Sequence, residues 1–134
     1  MPDSPRPSPH RQRPRPAPMA GPFLEFDLGR EIRQLHEEDA WNTGRNTKTL
    51  VKHPDLRVLL MALKAGMRVE EHQAPGRISV QTIVGRISLR ALGRTFDLPA
   101  GSLLALDRTV VHHLEALEES AFLLTIAWPE ETRS

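Results

Sequence analysis

The sequence predicts an all-β protein, a small sandwich or barrel preceded by one helix. Three observations lead there. From Thr47 onward, short apolar runs are broken by turn signals every several residues, which is how antiparallel strands of a sandwich or barrel read. No helical pattern recurs between those runs, so the strand–helix alternation of a parallel sheet is missing. Only Phe23 to Ala40 carries apolar residues at helical spacing, and 134 residues amount to one domain.

Taken in order, residues 1–22 hold eight of the chain's twelve prolines, with Arg6, Arg11, Arg13 and Arg15 set against a single acid, Asp3. With almost nothing apolar to bury, this stretch does not offset its ordering entropy and reads as a disordered tail. Residues 23–46 form an extension around the helix. Asp27 is its N-cap, Leu28, Ile32 and Leu35 its apolar stripe, and Asn42 with Gly44 its stop. The stripe is narrow, which places the helix on the outside of the fold. Glu37, Glu38 and Asp39 fall at its C-terminal end, the unfavourable side of the helix dipole, and are expected in solvent.

Residues 47–134 form the barrel. Strands are predicted at Thr47 to Lys52, Leu56 to Leu63, Arg68 to His72, Ile78 to Val84, Ile87 to Leu92, Arg94 to Leu98, Leu103 to Leu106, Val111 to Ala116 and Ala121 to Trp128. Their breaks are turn-forming sequences such as His53-Pro54-Asp55, Ala65-Gly66 and Pro99-Ala100-Gly101. Some of these strands are apolar on both faces, which predicts a homodimer covering the second face. Trp41 and Trp128 are expected in packing roles.

Composition narrows the function. Eighteen basic residues against seventeen acidic ones give a net charge of +1, which argues against sequence-independent binding to nucleic acid. No apolar stretch approaches the roughly 20 residues that span a bilayer, and the arginine-bearing N-terminus has no apolar core of a secretory signal. The absence of cysteine excludes thiolate nucleophiles, disulfides and cysteine-ligated metals. A cytoplasmic chain that meets neither nucleic acid nor membrane is the expectation.

The residues able to carry chemistry are few. His72 ends one strand and His112 lies on another, so two imidazoles facing one interior could hold a divalent metal, bind a substrate carboxylate, or act as acid and base. His113 points to the opposite face from His112, because neighbouring strand residues alternate. Gln81 alternates away from Val80 and Thr82. Glu70 shares parity with His72 and is the remaining candidate ligand. Ser102, Asp107 and His112 include the residue types of a hydrolase triad, but no strand–turn–helix elbow presents the serine.

Gly66-Met67-Arg68-Val69-Glu70-Glu71-His72, Gly85, the run Leu98-Pro99-Ala100-Gly101-Ser102-Leu103-Leu104-Ala105-Leu106 and His112 together resemble the two-part signature of the cupin superfamily, over about Leu56 to Trp128. The resemblance implies a single cupin-type jelly-roll barrel. Its scaffold positions match: Gly66, His72 and Gly85 in the first motif, Gly101 and His112 in the second. Its ligand positions do not. Ala74 stands where a second histidine belongs and Ile78 where a glutamate does, while Asp107 and Thr109 replace a proline and a glycine. Of four customary metal ligands, His72 and His112 remain.

The resemblance implies a module binding a small molecule in the barrel cavity, with His72 and His112 as polar anchors and no certain cofactor. As the alternative, it implies a metal-dependent dioxygenase or isomerase acting on a small organic acid or phenol. There His72 and His112 would hold a divalent transition metal, with water or Glu70 completing its shell. A protein acting through its tail and its dimer surface is a third reading. The sequence does not decide whether the chain is an enzyme.

Overall fold

The computed structural model describes residues 19–72 and 76–128, with the backbone alone at 71 and 72. Asp27 begins the helix α1 (Leu28–Glu37), its carboxylate accepting from the Arg30 N–H at 3.2 Å. A short 3-10 turn follows at Asp39–Thr43 and stops at Gly44, whose φ of 97° a glycine adopts freely. Nine strands come next: β1 (Arg45–His53), β2 (Leu56–Leu63), β3 (Arg68–His72), β4 (Arg77–Val84), β5 (Arg86–Ala91), β6 (Arg94–Pro99), β7 (Leu103–Leu106), β8 (His112–Ala116) and β9 (Ser120–Ala127). Every predicted strand is present, its ends moved by two residues or fewer.

The strands form two antiparallel sheets, ordered β1-β2-β9-β4-β7 and β3-β8-β5-β6, packed face to face as a jelly-roll sandwich. Alternation decides what lies between them. Met61 and Leu63 of β2, Phe122 and Leu124 of β9, Ile87 and Leu89 of β5 and Leu114 of β8 are buried in one shared core. The alternate residues of the larger sheet face outward, yet several are apolar. Leu50, Leu60, Ala62 and Ala121 pack against Ile32 and Leu35 of α1 in a second core.

The helix therefore covers part of the apolar outer face that led to the homodimer expectation. Leu103 of β7, 64% exposed, and Val84, 43% exposed, remain as uncovered apolar side chains on the larger sheet. Polar contacts also fix α1. The Lys48 ammonium lies 2.7 Å from Glu31, both side chains largely buried. The Asn46 amide donates to the Leu35 carbonyl and to Glu38 Oε1, each at 2.9 Å. Gln34 Nε2 donates to Glu38 Oε2 at 3.3 Å. Glu38 is consequently only 7% exposed, contrary to the expectation of solvent. Its side chain turns back under the helix because β1 supplies a donor there.

One turn needs its glycine. Gly85, between β4 and β5, has φ +82°, and a Cβ on it would collide with the Glu119 carbonyl and with Ser120 Oγ. Ser120, 1% exposed, accepts there from the Arg86 N–H at 2.9 Å, tying the β4–β5 turn to the β8–β9 turn. On the open side of the smaller sheet, Arg86 grips Asp97 through two bonds of 2.8 and 2.6 Å. That pairing lowers the Asp97 pKa and raises that of Arg86.

Of the expected tail, residues 1–18 lie outside the described residues. At its end the Met19 carbonyl accepts from the Lys52 N–H at 2.8 Å. Among the described residues no helix is long and apolar enough to cross a membrane.

Candidate functional site

Between the two sheets, where the core gives out, lies a cavity of about 190 Å³. The larger sheet contributes Leu59 and Met61 from β2 and Phe122, Leu124 and Ile126 from β9. These face one another in register: Met61 opposite Phe122, Leu59 opposite Leu124, and Arg57 opposite Ile126. The smaller sheet adds Val69 of β3, and His112 with Leu114 of β8. The walls are thus mostly hydrocarbon, with polar atoms at a few points, the composition of small-molecule sites.

His112 is 3% exposed. Its Nδ1 lies 3.1 Å from the Val110 carbonyl, which can only accept, so Nδ1 carries a proton there. His72 stands directly opposite His112 in the β3–β8 register. His113 is exposed on the other face, as alternation requires, and so is Gln81.

Glu70 departs from expectation. The β3–β8 register slips between Val69 and His72: Val69 still pairs with Leu114, while His72 pairs with His112. A bulge therefore inserts one residue between them and breaks the parity that linked Glu70 to His72. Glu70 is exposed and lines a shallow outer hollow with Arg68, Ser88, Arg90, His113 and Glu115. Asp107 is likewise engaged elsewhere. Its Oδ1 accepts from the Arg108 N–H at 2.8 Å and from Arg77 Nε at 3.0 Å, and those bonds lower its pKa. A triad with Ser102 and His112 gains no support from that arrangement.

The sequence reading missed the two charged groups in the cavity wall, Arg57 at the start of β2 and Arg45 at the start of β1. A usable signal was present, since Arg57 shares parity with Leu59 and Met61 in an otherwise apolar strand. Arg57 lies over the Trp128 ring, 5.3 Å from its centroid. The described lining therefore holds one imidazole, two guanidiniums and no carboxylate. Among the described residues no group of three or more histidine, aspartate or glutamate side chains could hold a metal ion. Among the described residues, two guanidiniums beside one imidazole do not make a ligand set for a divalent cation, which prefers carboxylates and further imidazoles.

No family model matches the chain, and no curated protein matches it. Solved structures do. A conserved protein of unknown function from Streptococcus pyogenes is similar at a TM-score of 0.62 with 25% identity, over 65% of this chain and 76% of the other. A cupin superfamily protein from Desulfitobacterium hafniense is similar at a TM-score of 0.62 with 14% identity, over 63% and 78%. A variant of the salicylate 1,2-dioxygenase of Pseudoaminobacter salicylatoxidans reaches a TM-score of 0.72 with 18% identity, over 84% of this chain and 37% of that one. Strand order and these likenesses define a jelly-roll sandwich of cupin type. The chain is a cupin-fold protein.

Proposed function

We propose that this cupin-fold chain binds a small molecule in the cavity between its sheets, with His112 and His72 as polar anchors. The observation carrying this reading is the cavity itself, about 190 Å³ walled by apolar side chains, with the buried His112 ring at its edge. Hydrocarbon walls supply affinity through the area they remove from water, and a few fixed polar groups orient the ligand. The fold alone does not decide activity; the described lining, with one imidazole and no carboxylate, supports the binding reading.

The test is a ligand screen by thermal melting on the full chain, beside elemental analysis of the wild type and of His72→Ala and His112→Ala. A ligand at about 100 times its Kd adds roughly 2.7 kcal/mol to stability, which the melt reads directly. Stabilisation without bound metal supports the module. About one metal per chain, lost in both variants, would instead give the function to a metal-dependent enzyme on a small organic acid or phenol.

A further inference from the structure

We infer that the ligand is a small organic acid, its carboxylate held by Arg57 and its apolar body lying against the β2–β9 wall. This rests on the cavity being a ligand site and adds the chemical class of its occupant.

The argument begins with charge. Two guanidiniums line the cavity and no described carboxylate lines it with them. Among the described residues neither Arg45 nor Arg57 takes part in an ion pair. Arginine stays protonated at any ordinary pH, so the wall keeps both positive charges. Arg45 is exposed, so water solvates its charge, whereas Arg57 is half-buried, and its charge is the one that an anion in the cavity would compensate.

Geometry singles out Arg57. The guanidinium carbon lies over the Trp128 ring, and a cation–π contact consumes none of the N–H donors. The Arg57 Nε is buried with no hydrogen-bond partner among the described residues. Buried donors in native proteins are nearly always paired. A planar carboxylate presents two oxygens to a guanidinium edge and meets that requirement.

Size and polarity limit the rest. An apolar cavity of about 150 Å³ accommodates benzene, so about 190 Å³ takes one ring or a chain of similar bulk. Leu59, Leu124 and Ile126, which flank Arg57 on the same wall, offer that body no hydrogen bonds. Inorganic anions lack an apolar part to fill this space.

The experiment is isothermal titration of the full chain with benzoate and hexanoate, each paired with its uncharged amide, in wild type, Arg57→Met, Arg57→Lys and Arg45→Met. The expected result is carboxylates binding at least tenfold tighter than their amides. Arg57→Met should erase that preference, and Arg57→Lys should restore only part of it. Acids and amides binding equally to wild type would overturn the inference while leaving the cavity a ligand site. No binding by any of the four probes, together with a flat melting screen, would overturn both. The wild-type comparison does not depend on any variant folding.

Discussion

Asn46 offers a quantitative test of how α1 is held. Its amide is 6% exposed and makes two hydrogen bonds of 2.9 Å, one to the last full turn of the helix and one to the buried Glu38 carboxylate. A net bond to a neutral carbonyl contributes about 0.5–1.5 kcal/mol, and one to a charged acceptor about 1.5–3 kcal/mol. Asn46→Ala removes both, so the expected loss is about 2–4.5 kcal/mol. For a fold of this size, each kcal/mol shifts Tm by roughly 4 °C, predicting a fall of roughly 8–18 °C. Urea unfolding followed by far-ultraviolet circular dichroism supplies the free energy. Glu38→Gln completes a double-mutant cycle: because the two side chains touch, their coupling should be about 1 kcal/mol or more. A loss under about 1 kcal/mol for Asn46→Ala, with strictly additive single costs, would refute the view that this buried pair fastens the helix.

Three other outcomes follow from packing, backbone and charge. Gly85→Ala should cost well over about 2 kcal/mol in urea unfolding, since it adds positive-φ strain to a collision with the β8–β9 turn. Phe122→Ala, at a side chain 1% exposed, should cost about 3–5 kcal/mol and enlarge the cavity, loosening benzoate in titration. Asp97→Asn should lower Tm slightly at neutral pH. Because the folded state depresses the Asp97 pKa, that stabilisation is present above the ordinary carboxylate range and is lost as pH falls through the folded value. Melting curves of wild type and Asp97→Asn should therefore converge in acid, and also in about 1 M salt, where exposed pairs are screened.

Much of the architecture was legible because turn chemistry punctuates it. Pro99-Ala100-Gly101 and His53-Pro54-Asp55 end strands whatever packs around them, and Asp27 caps α1 by a contact only three residues long. What was not legible depends on partners distant in sequence. Glu38 is buried because Asn46 lies on a neighbouring strand, a fact of tertiary placement that helix-dipole reasoning does not contain. Glu70 changed faces because one bulge resets parity, and a bulge leaves no mark in an alternating pattern. His112 was identified through its place in a motif. Arg57 was overlooked because a charged residue opening an apolar strand reads as a solvated end, until Ile126 opposite shows that this end lines a cavity.

The placement of the two tryptophans has a practical consequence. Trp41 stacks on His36, ring centroids 4.3 Å apart, where the helical extension meets the sheet, while Trp128 lies under Arg57 at the cavity. Each indole is therefore an optical reporter of a different event. On the proposed binding at Arg57, emission from Trp128 should follow occupancy of the cavity, and emission from Trp41 should follow release of the helix. With Trp41→Phe the chain keeps a single emitter beside its cavity, so ligand entry and helix undocking can be timed separately in one protein without an attached dye.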